Sequence, residues 1–263
     1  MVITLQGKLV NGEKFTETVD TEKNYLKFKN HDLVELDLTA LGEYKNLEIL
    51  RISAKKLNYL DLTPLRRCKR FKELDISNTQ LSYIDLTPLS QCEHLEILKL
   101  EMNKLMSISL KPLSKCIHLE ELLLGSNEIS AINLRPLSKC KELESLYLDN
   151  LKLVYLDLEP LIQCANLSTI DLSTNSLIEI DLQPVAFLSN LGWLDLRYNK
   201  MSSIDISPLR ACKFLKSVNF DEDVQIEWKD SELDVKSLPE YLRKEFLKKI
   251  RIAREKYIRE TKK

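Results

Sequence analysis

Six cysteines and three histidines are the residues of this chain best suited to hold a metal or attack a substrate, and their spacing argues against both uses. The cysteines are Cys68, Cys92, Cys116, Cys140, Cys164 and Cys212, each 24 residues from the next or, across Leu188, 48. Zinc sites draw on close pairs such as Cys-x-x-Cys, and no such pair exists. Cysteine also packs as a small hydrophobe, and Leu188 in one of the seven places fits that use. The column is predicted to be core, with free thiols that suit a reducing compartment. His94 and His118 hold equivalent places beside Glu93 and form the one candidate metal pair; they are read as polar loop residues. Asp61, Asp85, Ser109, Asn133, Asp157, Asp181 and Asp205 form a further column. Its side chains accept a hydrogen bond from a nearby backbone N–H. Calcium is the competing use, and Ser109 and Asn133 interrupt it. Nucleophile-elbow, phosphate-loop, zinc-protease and dinucleotide-binding signatures are missing. No catalytic residue, metal, cofactor or small-molecule substrate is assigned, and an enzyme is not expected.

The element that positions these columns is an internal repeat. Seven of eight prolines fall at 64, 88, 112, 136, 160, 184 and 208, every interval being 24. Such a clock is read before any local structure. The unit is Leu-x-x-Leu-x-Leu-x-x-Asn-x-Leu, then x-x-Ile-Asp-Leu-x-Pro-Leu-x-x-Cys-x-x. A clear copy runs through Leu167, Ile170, Leu172, Asn175, Leu177, Ile180, Asp181, Leu182 and Pro184. Eight units fill residues 23–214, the first of them degenerate, and a ninth strand follows at 215–222.

The first half of the unit resembles the leucine-rich repeat family. The Ile-Asp-Leu-x-Pro-Leu half is similar to internalin-like and archaeal-type repeats, although internalin repeats are typically shorter. The resemblance implies a right-handed solenoid (horseshoe) of the α/β repeat class, with a parallel concave β-sheet and short convex helical turns. The family has no shared catalytic residues to carry over.

The spacing agrees with that picture. Leucines two apart share one face of a strand. A single coil cannot bury them, whereas stacked coils make a continuous core and a parallel ladder. The Asn column (Asn103, Asn127, Asn175, Asn199) is expected to satisfy backbone groups of its own turn and of the next coil. Asn78 and Asn150 are expected to substitute one place early where Thr79 and Leu151 break the column. Thr63, Thr87 and Ser207 are expected to cap the convex turns, with proline in the first helical position.

Composition excludes other classes. The 263 residues carry 39 Lys and Arg against 40 Asp and Glu, a net charge of −1, with 44% hydrophobic residues. That is globular, neither disordered nor a polyanion binder as a whole. Five glycines argue against a Gly-rich phosphate-cradling enzyme and against a strand-and-turn sandwich. The opening residues lack a secretory pattern, so a cytoplasmic protein is expected.

Residues between the strand leucines are predicted to face the concave surface. Large apolar side chains there, Ile97, Met102, Leu123, Tyr147, Trp193 and Tyr198, have no structural need to be outside and read as anchors for a protein partner. Lys27, Lys29, Arg51 and Lys99 make one half basic. Asp149, Asp171, Asp195 and Asp221, with Arg197 among them, make the other half acidic, a gradient that would orient the partner. Residues 143–190 hold one Lys against seven Asp and Glu, so nucleic acid is not expected on the solenoid.

The ends differ. Residues 1–22 read as a capping β-hairpin, Val2–Leu5 and Lys8–Val10, then Asn11-Gly12, then Glu13–Val19. Residues 215–263 hold the last strand and a single helical cap. Ser237 is expected to cap it, Pro239 to start it, and Leu238, Leu242, Phe246, Ile250, Ala253 and Tyr257 to form one stripe. Residues 239–263 carry ten Lys and Arg against four Glu. The expected function is a non-catalytic interaction module, scaffold or regulatory adaptor. The alternative is a membrane- or nucleic-acid-associated adaptor acting through that basic helix.

Overall fold

The computed structural model describes residues 2–231 and 233–261. Met1, Glu232, Lys262 and Lys263, which the expected end segments include, lie outside the described residues. The chain opens with a hairpin, β1 (Val2–Leu9) against β2 (Lys14–Asp20), in register from Val2↔Asp20 to Lys8↔Lys14. Its first arm is one strand, not the two expected. Gly7 lets it lie close against the neighbouring strand, because a Cβ there would collide with the Glu35 carbonyl. That neighbour is β4 (Leu33–Asp37), which follows β3 (Tyr25–Lys29) and ties the hairpin to the first coil.

From β3 onward each coil supplies one strand to a nine-stranded sheet, paired in chain order and parallel throughout. The strands are β3, β5 (Ile49–Ser53), β7 (Glu73–Asp75), β8 (Ile97–Lys99), β9 (Glu121–Leu123), β10 (Ser145–Tyr147), β11 (Thr169–Asp171), β12 (Trp193–Asp195) and β14 (Ser217–Asn219). Short partners β6 (Tyr59–Leu60), β13 (Ser203–Asp205) and β15 (Gln225–Glu227) line the flank. Register follows the repeat: Leu98 pairs with Leu122, Leu122 with Leu146, Leu146 with Ile170. Every one of these is wholly buried, so each coil's apolar face is covered only by its neighbours.

Among the described residues, eight short 3-10 turns form the convex side, at Thr39–Glu43, Thr63–Arg67 and their six equivalents. Thr63, Thr87 and Ser207 are not their caps. They are the first residues of the turns, and the side chain two places upstream caps them. Asp61, Asp85, Asn133, Asp157, Asp181 and Asp205 each accept the N–H two residues on, at 2.8–3.0 Å. Asp37 does the same in the degenerate first unit at 2.8 Å.

The Asn ladder reaches backward, not forward. Asn127 Nδ2 donates to Leu124 O of its own coil at 2.8 Å and to Leu100 O of the preceding coil at 2.9 Å. Its Oδ1 accepts Leu105 N–H at 3.0 Å. Asn78 and Asn150 do not substitute for missing members. Both are exposed, while Thr79 and Leu151 keep the buried place. Asn78 and Asn150 instead belong to a column that leaves the strand with positive φ: Asn78, Met102, Ser126, Asn150, Thr174 and Tyr198, at 49–58°.

The C-terminal cap is two helices, α1 (Glu240–Glu245) and α2 (Leu247–Thr261), broken at Phe246. At the break the Phe246 ring packs 5.6 Å from Phe220 and 5.9 Å from Tyr241. Ser237 donates back to Asp234 O rather than capping α1. Leu238, Leu242 and Ile250 are buried over the last coil. Among the described residues no helix is long and apolar enough to cross a membrane.

Candidate functional site on the concave sheet

Strand alternation puts one column inward and the next onto the concave face, and register then fixes which side chains meet. Leu123 and Tyr147 stand opposite each other on β9 and β10. Tyr147 is in turn opposite Asp171, which is opposite Asp195. Ile97 and Trp193 lie in the neighbouring column, at its β8 and β12 ends. These four apolar residues are half-buried, held by the strands beside them. Met102 and Tyr198 sit elsewhere. They occupy the positive-φ corners at the rim and are 59% and 67% exposed.

The charged residues separate into two sets. Arg51 closes on Glu73 with bonds of 2.6 and 2.9 Å, and Lys99 pairs with Glu121 at 3.2 Å. Their charge is spent within the sheet, leaving Lys27 and Lys29 as exposed cations on β3. Asp195 is expected at the accessible surface, but the structure buries it to 1% exposure. Arg197 covers it, and Asn219 donates to it at 3.3 Å. Asp221 is also used internally, accepting the N–H groups of Tyr198 and Asn199.

Glu101 and Asp149 form the other set. Neither carboxylate has an ion-pair partner among the described residues. Burial raises both pKa values above the ordinary carboxylate range, and Asp149 adds repulsion to Glu101 as Asp171 does to Asp149. Between them Gly125 supplies no side chain, and Asp149 leans over it so closely that a Cβ would collide with its carboxylate. Burial and these surrounding carboxylates also raise the Tyr147 pKa. The concave sheet thus carries a central apolar pair beside two carboxylates that form no ion pair among the described residues.

The other candidate columns are structural in geometry. Each cysteine is buried and free, and its Sγ–H points at a carbonyl of the preceding coil, as Cys116 does to Leu89 O at 3.4 Å. Burial pushes the Cys116 thiol up to about 12. His94 and His118 stack with ring centroids 6.0 Å apart and planes within 14°, so their in-plane lone pairs run side by side rather than converging. Glu142 holds His118 Nδ1 at 3.0 Å. The apolar stripe of the C-terminal helices is taken up by the cap, while Lys248, Lys249 and Arg251 stay exposed.

Sequence reasoning missed the flank. Tyr59, Tyr83 and Tyr155 are more exposed than any concave aromatic on the sheet itself, and they share one repeat position. Their multiple-of-24 spacing was the available signal.

A family model described as the BspA type leucine rich repeat region matches in six copies, over residues 42–159 and 112–229. Solved structures with a similar fold include a leucine-rich repeat protein from Leptospira interrogans, with TM-score 0.64 and 21% identity, covering 72% of this chain and 46% of that one. Internalin C2 from Listeria monocytogenes aligns with TM-score 0.53 and 25% identity over 69% of this chain and 74% of its own. The ectodomain of the plant membrane receptor kinase GASSHO1/SCHENGEN3 from Arabidopsis thaliana, solved in complex with Casparian strip integrity factor 2, gives 0.61 and 24%, over 72% and 23%. The chain therefore spans less than half of the Leptospira protein and less than a quarter of the plant ectodomain. No curated protein matches it.

Proposed function

The chain belongs to the BspA-type leucine-rich repeat family, and from that premise we propose that it is a non-catalytic scaffold or regulatory adaptor that holds a protein partner on its concave sheet. The observation that carries the reading is the Leu123–Tyr147 pair, in register on adjacent strands and half-exposed on the face of the sheet. Aromatic and aliphatic side chains set in a half-desolvated surface are the composition of binding hot spots. Glu101 and Asp149 extend the reading. Two carboxylates whose pKa values are raised by burial and by neighbouring carboxylates, and which form no ion pair among the described residues, favour a partner that brings a cation. The partner's contact segment then carries a basic side chain next to an apolar one. Ile97 and Trp193 widen the apolar contact, Met102 and Tyr198 close its rim, and Lys27 meets an acidic group at the far end. A cytoplasmic location belongs to the same proposal, since six shielded thiols remain unpaired there; fractionation of source cells checks it.

The test is a pull-down from source-cell lysate with the wild type beside a Tyr147→Ser/Trp193→Ser variant of matched circular dichroism. A partner kept by the wild type and lost by the variant supports the concave site. Equal retention by both sinks it.

A further inference from the structure

A second surface lies on the opposite side of the solenoid. The stretch Arg66-Arg67-Cys68-Lys69-Arg70-Phe71-Lys72 holds five basic residues in seven, the densest run of positive charge in the repeats. No other convex turn has two arginines in these places; the equivalents are Gly42-Glu43, Ser90-Gln91, Ser114-Lys115, Ser138-Lys139, Ile162-Gln163, Ala186-Phe187 and Arg210-Ala211. The same spot is a cleft of about 850 Å³ between the turns of three successive coils. Lys45, Arg66, Arg67 and Lys69 line it, with Glu43 and Asp85 as its only acids. Gly42 makes room for the Arg67 stem, since a Cβ there would stand 3.3 Å from Arg67 Cδ.

We propose that this convex cleft binds a phosphomonoester carried on a serine or threonine of a partner protein. Charge, size and shape all fit such a group. Four cations against two carboxylates leave a formal lining charge of +2. Asp85 already accepts the Thr87 N–H at 2.9 Å, and Glu43 reaches only Arg67, at 3.5 Å, so Lys45 and Arg66 face no carboxylate of the cleft. A phosphomonoester carries about −1.5 to −2 at neutral pH, which matches that lining, whereas a carboxylate does not. Arginine forks bind phosphate oxygens in pairs, and the two here are adjacent. Three coils span only two strand spacings, about 10 Å, too short for the run of single charges along a nucleic acid backbone. A bilayer is flat and would meet the ridges of the turns rather than the trough between them. The cleft is open and ringed by charged side chains, unlike the enclosed site that holds a free small molecule. This inference concerns a different face from the concave reading and does not depend on it.

The test is fluorescence polarisation of the full chain with a labelled pool of degenerate serine-phosphorylated peptides and with the same pool unphosphorylated. Vesicles containing phosphatidylserine and a single-stranded 20-nucleotide DNA serve as comparison arms. Binding of the phosphorylated pool alone is expected. It should weaken at least tenfold in Arg66→Ala/Arg67→Ala and again in Lys45→Gln/Lys69→Gln, both with unchanged circular dichroism. The second variant keeps the test decisive if the first folds poorly. Equal binding of the two pools, no binding of either, or retention by both variants would overturn the proposal. Binding of vesicles or DNA while the phosphorylated pool stays free would overturn it equally.

Discussion

Arg197 folds back on Asp195, two residues earlier, with its Nε 3.0 Å from each carboxylate oxygen and its backbone N–H on Oδ1 at 3.0 Å. The carboxylate is buried and the guanidinium is half in solvent, so the two partners differ in what they contribute. Removing Asp195 leaves the Arg197 N–H and the Asn219 amide short of an acceptor. Asp195→Ala is expected to cost about 2–3 kcal/mol. Removing Arg197 loses an exposed partner, and Arg197→Ala is expected to cost less than about 1 kcal/mol. Urea denaturation of both variants checks the asymmetry; equal losses would contradict it.

The positive-φ corners give a stabilising prediction. Thr174 is β-branched and stands at φ 57°, and its N–H is fixed to Arg197 O at 2.8 Å. A left-handed conformation costs a β-branched residue more than it costs asparagine, which occupies the same corner at Asn78 and Asn150. Thr174→Asn is expected to raise stability by about 0.5–1 kcal/mol. A lower thermal midpoint in the variant would show that the corner is not strained.

The thiol ladder sets a limit on reactivity. Burial, with the neighbouring thiols Cys140 and Cys92 adding to it, holds the Cys116 pKa at about 12 against an unfolded value near 9. A thiol disulfide reagent at about pH 8 is therefore expected to label none of the six cysteines in the folded chain and all six in urea. Because the folded pKa is raised, the associated stability is complete below about pH 9 and is lost as pH climbs toward 12. Alkaline unfolding should begin in that window. Rapid labelling of native protein would place a thiol outside the core.

Carboxylates on the concave sheet predict the opposite of ordinary acid denaturation. Glu101 and Asp149 have pKa values raised by burial, and then by repulsion from Asp149 and Asp171 respectively, so their contribution favours the folded chain below the unfolded values of 4.5 and 3.8 and fades as pH rises above them. Asp149→Asn is expected to be more stable than wild type at pH 7, with the gain vanishing toward pH 3.5. Denaturation at both pH values reads the sign directly. A variant less stable at pH 7 would mean that Asp149 has a cationic partner within the chain.

Much of this was legible in the sequence because a 24-residue clock leaves little freedom. Once Leu98, Leu122 and Leu146 pair in register, the core, the sheet and the columns follow. The legible part ends where a residue departs from the average of its column. Asp195 reads as surface by alternation, and only the arginine two places on buries it. The left-handed corner carries no glycine to announce it; its residues range from Asn78 to Tyr198, and backbone bonding between coils imposes the conformation. The direction of the Asn ladder was equally hidden, since spacing is symmetric between the coil before and the coil after. Tyr59 and Tyr83 were visible as a column but carried no partner chemistry beside them.

The central claim is that the concave sheet, not the aromatic flank, meets the protein partner. A photo-crosslinking benzoylphenylalanine placed at Tyr147, in the register pair with Leu123, and in a second protein at Tyr83, 66% exposed on the flank, compares the two surfaces in cells. The account predicts a discrete crosslinked band from position 147, weakened by Leu123→Ser, and none from position 83. A band from position 83 with position 147 silent would contradict it and move the partner to the flank.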